Sequence, residues 1–379
     1  MKRDWRLRYD RIHDILIKSE FSAKQRGNIM KSKRLTAILA AAAVALSVSG
    51  CGTIISADEA EESVQVFAMD TVMICSTYGE NSSDAAFEAE DEIYRLEALL
   101  SRTREDSAVS RINSGEAGAA DEEVRSLIQK AMEYSEATGG AFDITLAPVS
   151  SAWGFTEDTY RVPSQEELDA LMTHVGMDHV HLTETGVELD PGTQIDLGAI
   201  AKGYASDVVA ELYEKWDVPR GLARLGGNIY AKGTRPDGGL WRVGVQDPAN
   251  PEDSNALVGI LELSDAFAVT SGGYQRYFEE DGHIYHHIID PATGRPAESG
   301  LTSVTVVADR ASGGGTMCDA FSTALFVMGE EKALDFWRTS GYDFDLVLVT
   351  EDGRVLVTEG IADVFTLDEG SGYTCETVS

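Results

Sequence analysis

Residues 196–216 read Asp-Leu-Gly-Ala-Ile-Ala-Lys-Gly-Tyr-Ala-Ser-Asp-Val-Val-Ala-Glu-Leu-Tyr-Glu-Lys-Trp. The pattern predicts one long helix over Ala199–Trp216, opened by Asp196-Leu197-Gly198. From Gly221 onward strands dominate: Trp241–Val245, Val258–Glu262, Ala266–Thr270, His283–Ile289 and Thr302–Val307. One more helix, Cys318–Met328, follows the glycine run Gly313–Gly315. A hairpin of Leu346–Thr350 and Arg354–Thr358 then turns about Asp352-Gly353. Upstream lie a strand pair across Val64–Tyr78 and amphipathic helices at Ser83–Leu100, Glu122–Ala137 and Gln165–Val175. Helices and strands mix without strict β-α-β alternation, which makes α+β the class. No repeat and no Pro/Ser-rich linker divides residues 63–366, so they read as one domain.

The charge is unevenly spread. The 379 residues carry 31 Lys+Arg against 64 Asp+Glu, a formal net charge of −33. Residues 1–50 hold 11 basic and 4 acidic side chains, leaving 20 basic and 60 acidic from Cys51 onward, a net of −40. That excess argues against nucleic acid as a partner, since phosphates need a basic face. The basic piece contains Met30-Lys31-Ser32-Lys33-Arg34, an apolar run Leu35–Leu46, then Ser47-Val48-Ser49-Gly50-Cys51. This is the build of a signal peptide, and the run is short for a bilayer span. Val48-Ser49-Gly50-Cys51 resembles a bacterial lipobox, which makes Cys51 the expected lipidation site on the extracytoplasmic face of the cell membrane. Residues 1–29 fit no targeting pattern and read as an extension upstream of the true start. Residues 30–50 are then the signal, 51–62 a tether and 367–379 a C-terminal tail. The four scattered cysteines form neither a disulfide framework nor a CxxC metal site.

Common nucleotide cradles and the GxSxG and HExxH signatures are absent. What remains is a set of modest signals. Asp319 and Thr323 lie four apart on one helical face, and a carboxylate with a hydroxyl suits a hard cation such as Mg²⁺. The same residues also fit a helix cap and a packed threonine. Asp196 and Lys202 flank a helix start, where free N–H groups and an ammonium attract an anion, although a capped surface helix reads the same way. His283, His286 and His287 cluster before Ile289-Asp290-Pro291, without a fourth ligand at zinc spacing. One imidazole as a general base is the more useful reading. Gly226-Gly227-Asn228 and Ser271-Gly272-Gly273 are turns that let backbone approach a ligand.

In their order along the chain these segments resemble the ApbE-type FAD:protein FMN transferases. The matching stretches are Ala68–Thr71, Asp106-Ser107 with Val109–Asn113, Gly139–Thr145, Asp196–Tyr204, Leu225–Asn228, Ser271–Phe278, His287–Pro296 and Asp319–Leu325. They cover residues 63–366. The resemblance implies a single ApbE-type, T-fold-like domain with FAD as substrate. Met69, Ala141, Phe142, Asp143, Asp196, Lys202 and Ile289 would line the FAD cleft. Mg²⁺ would be held by the backbone carbonyl of Ala199 and the side chains of Asp319 and Thr323. His287 is the implied base, and Lys202 adds positive potential. The implied reaction moves FMN from FAD to a threonine or serine hydroxyl of an acceptor protein and releases AMP. Acceptors in the family are exported flavoproteins or flavinylated subunits of Rnf- or Nqr-type complexes.

Two departures bear on the reaction. Many members carry an aromatic residue where this chain has Thr103, which touches the balance between transfer and FAD hydrolysis. Some have an Asp where this chain has Ser322, which bears on the number of Mg²⁺ ions. An Mg²⁺-dependent FAD pyrophosphatase is the nearest alternative, and a non-catalytic, lipid-tethered FAD-binding protein a further one. An acidic protein that binds a pyrophosphate needs local positive charge, expected here from Mg²⁺ and Lys202 alone.

Overall fold

Nine strands hydrogen-bond into one sheet, in the order Glu61–Ala68, Thr71–Tyr78, Arg220–Leu225, Asn228–Lys232, Ala266–Gly272, Leu301–Asp309, Asp345–Thr350, Arg354–Thr358 and Thr374–Val378. All neighbours run antiparallel except the last pair, which is parallel. The structure is a computed structural model and describes residues 61–379 except 117–119, 157–158, 185 and 312. The expected extension, the signal peptide, Cys51 and the tether up to residue 60 lie outside the described residues. Glu61 and Glu62, expected in the tether, begin the first strand. At the other end Thr374–Val378 forms an edge strand within the expected tail.

Side chains alternate across the sheet, so each face collects its own core. Val66, Met73, Leu225, Tyr230, Val269 and Val306 face one way, into the core shared with the helices Ser82–Leu100, Ala201–Lys215 and Gly315–Met328. Ala231, Ala268, Val307, Val347 and Val349 face the other way. They meet a three-stranded sheet of Phe365–Leu367, Leu257–Leu263 and Trp241–Gln246, in that order. The result is three layers, mixed and mainly antiparallel, the α+β class expected from the sequence. Cys75 and Cys318 are free and buried in the helix-side core. Burial pushes the Cys75 thiol up to about 12, so it packs as an apolar side chain.

Two of the helices cross at glycines. A Cβ on Gly203 would lie 2.2 Å from the Gly315 oxygen and 2.5 Å from the Asp319 Cβ, so the contact admits no side chain. The helices also exchange caps. Asp207 accepts from the N–H groups of Gly315 (2.6 Å) and Thr316 (3.0 Å), and Asp319 Oδ2 accepts from the N–H of Gly203 (2.8 Å). The second helix therefore starts at Gly315, not at Cys318, and its cap is Asp207. Asp319 sits in the second turn, which removes the reading of Asp319 as a helix cap.

The expected strand His283–Ile289 is two elements. His283–His286 pairs with Tyr277–Glu280, and Ile289–Asp290 pairs with Arg295–Pro296. His287 and Ile288 lie at the switch between the two ribbons. Short helices at Ala108–Asn113 and Ala147–Trp153, a longer one at Glu330–Thr339 and a hairpin of Val180–Thr183 and Gly186–Leu189 are among the elements the periodicity did not reveal.

Candidate active site

A cleft of about 1020 Å³ opens where the turns at Met69–Asp70, Gly226–Gly227 and Ser271–Gln275 come together. The catalytic, FAD and metal residues expected from the sequence all line it: Met69, Thr103, Ala141, Phe142, Asp143, Asp196, and on the later segments Ala199, Lys202, His287, Ile289, Asp319 and Thr323. The three turns are positioned by the sheet. Ala68 pairs directly with Thr71, so Met69 and Asp70 form a two-residue hairpin turn with φ of +50° and +60°. Such a turn requires left-handed backbone at both positions, and a methionine there spends conformational energy to stand at the cleft. The neighbouring turn is glycine for a steric reason: a Cβ on Gly226 would fall 2.4 Å from the Thr71 methyl.

The segment ahead of the first crossing helix is pinned by Asn113. Its side chain accepts from the Ile195 N–H (2.8 Å) and donates to the Ile195 carbonyl (2.9 Å). Ser107 caps the short helix that carries Asn113, accepting from Ser110 N. Asp196 follows, with Oδ1 accepting from Gly198 N (2.8 Å) and Oδ2 facing Arg102 at 3.3 Å. Lys202 donates to the Gly198 carbonyl at 3.1 Å. The expectation of an open helix end is corrected here. The N–H of Ala201 goes to Leu197 and that of Gly203 to Asp319, so two of its first donors are already taken. Phe142 is 1% exposed with its ring in the core, and it reaches the cleft through its backbone. Burial raises the carboxyl of Asp143, opposed by hydrogen bonds from Thr145.

The oxygen donors gather around the crossing. Asp319 is 4% exposed, and its Oδ1 accepts from Asn228 Nδ2 at 3.3 Å. Thr323 Oγ1 lies 3.2 Å from Ser271 Oγ, which is 2.8 Å from Ser322 Oγ. Ser322 donates to the carbonyl of Asp319 (2.9 Å), a bond within the helix. Asn228 supplies the test of whether a cation fits. Its amide must point Nδ2 at the carboxylate, because two acceptors would repel, and this leaves Oδ1 buried without a hydrogen-bond partner. An unpaired buried acceptor costs about 1–3 kcal/mol. A hard cation on oxygen donors beside Asp319 and Thr323 removes that cost, so the donor set fits Mg²⁺. The histidines do not make a metal site: no group of three or more His, Cys, Asp or Glu among the described residues is arranged to hold one.

His287 is half-buried at the ribbon switch, and its Nδ1 lies 3.1 Å from the Arg276 carbonyl. A carbonyl only accepts, so Nδ1 carries the proton and Nε2 keeps its lone pair. Desolvation first, then the Arg276 guanidinium, pull the imidazole down to about 3. Positive charge comes from more than Lys202. Arg102, held by the Ala147 carbonyl (3.1 Å), and Arg276, 3.6 Å from Asp70, line the same cleft. Single arginines in loops have no pattern that sequence reading detects. Asn228 stood inside a quoted turn, without a role.

Residues 69–347 match the model of the ApbE family. The chain is 34% identical over 311 residues to the FAD:protein FMN transferase of Treponema pallidum, covering 76% of this chain and 83% of that protein. It is also 34% identical over 265 residues to the FAD:protein FMN transferase of Escherichia coli K12, covering 67% and 73%. Among solved structures, it is similar to the ApbE protein of Thermotoga maritima with a TM-score of 0.73 and 34% identity, over 80% of this chain and 99% of that one. The flavinyl transferase ApbE of Pseudomonas stutzeri, in its apo form, gives 0.70 and 30%, over 81% and 97%.

The depressed imidazole has a signed consequence. Between about 3 and the ordinary value of 6.5 the unfolded chain binds a proton at His287 that the folded chain refuses. The contribution of His287 to stability is therefore present above pH 6.5 and lost as pH falls towards 3. In an NMR titration of the free protein, the His287 ring signals should stay at their neutral positions down to pH 5. A midpoint near 6.5 would contradict the burial argument.

Proposed function

The chain belongs to the ApbE family, and from that premise we propose that its cleft transfers FMN from FAD to a threonine or serine hydroxyl of an acceptor protein. The observation that carries the chemistry is a half-buried imidazole with its Nε2 lone pair free of the Arg276 carbonyl, in one cleft with the oxygen donors around Asp319. The acceptor oxygen attacks the phosphorus on the FMN side of the pyrophosphate. Its proton passes to His287 Nε2, the P–O bond to AMP breaks, and FMN stays on the acceptor as a phosphoester. The pyrophosphate's negative charge raises the basicity of His287 when FAD is bound, offsetting its low value in the free protein. Lys202, Arg102 and Arg276 attract the dianionic bridge and hold it in line for attack. Mg²⁺ held by Asp319, Thr323 and the Ala199 carbonyl would neutralise charge on the phosphoryl oxygens. Thr103 is a short side chain hydrogen-bonded to Ser101 at 3.1 Å, and its place in the cleft bears on the balance between transfer and FAD hydrolysis.

Attachment is proposed through a lipid on Cys51, with exported flavoproteins or Rnf- or Nqr-type subunits as acceptors. Among the described residues no helix is long and apolar enough to cross a membrane. With Cys51→Ser the protein should leave the membrane fraction; unchanged partition would defeat the anchor.

The reaction is tested by incubating the enzyme with FAD, Mg²⁺ and an acceptor subunit, then reading flavin fluorescence on the acceptor band after denaturing electrophoresis. A fluorescent acceptor and an equal yield of AMP are expected. Free FMN without a labelled acceptor would leave hydrolysis as the reaction. Asp319→Ala should remove the Mg²⁺-dependent turnover. His287→Ala should slow transfer by about 10²–10⁴-fold while FAD binding changes far less, the mark of a base. Equal loss of both would contradict that role.

A further inference from the structure

The cleft is lined by more residues than those proposed to hold FAD. Its floor is the sheet face opposite the helices, where Leu222, Arg224, Ile229, Ala268 and Thr270 project. The same face continues outward past the cleft. Ile74 pairs with Arg224 and Arg224 with Ile229, and beyond them Val72 pairs with Phe67. The three-stranded sheet leaves this end uncovered: Phe67 is 61% and Val72 49% exposed. Two large apolar side chains standing together on an open sheet face, continuous with a catalytic cleft, are the signature of a recognition surface.

The wall of this part of the cleft is the strand Trp241–Gln246, which contributes Arg242 through Gln246. It is the outermost strand of its sheet, so its outer edge has no strand partner among the described residues. It contains no proline, and Val243 and Val245 are turned to the core while Arg242 and Gly244 are exposed. Folded proteins usually guard such an edge, because its unpaired N–H and C=O groups accept another strand. Two guanidiniums stand beside it. Arg224 is exposed with no ion pair among the described residues, and Arg242 approaches Glu262 only at 4.0 Å. In a chain of net −40 beyond its first fifty residues, Arg224 on the floor and Arg242 on the outer face of the wall strand favour carboxylates, with Glu252 the acidic side chain nearest them in sequence among the cleft residues.

We propose that this part of the cleft docks the acceptor as an extended segment. Its backbone adds to the free edge of Trp241–Gln246, its apolar side chains lie on Phe67, Val72 and Ile229, and an acidic flank meets Arg224 and Arg242. Strand addition supplies affinity that is indifferent to sequence, and the floor and arginines supply the selection. The groove leads to Asn228, Thr270 and Ser271, so a hydroxyl carried on the segment arrives beside the oxygen donors and His287. This rests on the transfer reading, because only a macromolecular acceptor needs such a groove.

The test uses the enzyme with FAD and Mg²⁺, and a flavinylatable Nqr-type subunit as the probe. Arg224→Glu and the double variant Phe67→Ser/Val72→Ser alter exposed side chains that are not among the residues proposed to hold FAD. Each should raise the acceptor KM at least about tenfold, a loss of about 1.4 kcal/mol, with kcat and FAD affinity unchanged. The acceptor should also protect the amides of 241–246 from hydrogen exchange. Transfer by the wild type with unchanged KM in both variants and no protection would overturn the docking groove alone. Concentration-dependent self-association lost in the same variants, with unchanged acceptor KM, would overturn it in favour of a second copy of this chain. Free FMN without any labelled acceptor in the wild type would overturn the transfer reading and this groove with it.

Discussion

The close crossing of two helices at Gly203 and Gly315 is the contact on which the site depends. Because neither residue carries a Cβ, the helices approach until Asp319 can reach the first turn of its neighbour and accept from Gly203. Asp207 makes the return bond to Gly315 and Thr316. Each helix thus satisfies orphan N–H groups of the other, a demand usually met locally. The consequence is a carboxylate held at both oxygens, buried, and aimed at the end of the sheet where three turns converge. Asn228 completes the arrangement at a cost, since it orients Asp319 with one end of its amide and leaves the other unpaired. The proposed cation would meet donors already held in place.

Electrostatics then explain how so acidic a chain handles a pyrophosphate. Sequence counting left Mg²⁺ and Lys202 to supply all the positive charge, and that account was too sparse. Folding brings Arg102 from the loop after the first long helix and Arg276 from the loop after Ser271 into the same cleft. Arg276 acts twice, since its carbonyl also fixes the His287 tautomer. Its charge, with burial, keeps that imidazole neutral. In the proposed reaction, the cations that attract the substrate would also hold His287 unprotonated until the substrate's own charge offsets them.

Most long elements were legible because their periodicity reflects one buried face: Glu122–Ala137 has the predicted bounds, and Ser82–Leu100 differs by one residue. The strand assigned to His283–Ile289 failed for a physical reason. Pattern reading sees a continuous run of β-compatible residues but not that its two halves pair with different partners. Asp319 looked like a cap because nothing in its own segment reveals that Asp207, more than a hundred residues earlier, performs that task. The role of Asn113 was likewise invisible, as it acts on the backbone of Ile195 far along the chain. Local motifs named residues that line one cleft; only tertiary contacts say which of them position the others.

In the proposed mechanism the helix crossing, and not the cleft's own lining, is the origin of the cation site. Asp207 tests this directly, since it does not line the cleft and its bonds are all to the partner helix. Mg²⁺ binding would be measured by titration calorimetry in the presence of FAD for the wild type and for Asp207→Asn, with circular dichroism to confirm that the variant is folded. The account predicts a folded variant whose Mg²⁺ affinity has dropped by about 10–100-fold, the usual effect of removing a group that orients a metal ligand. Wild-type affinity in a folded Asp207→Asn protein would contradict it.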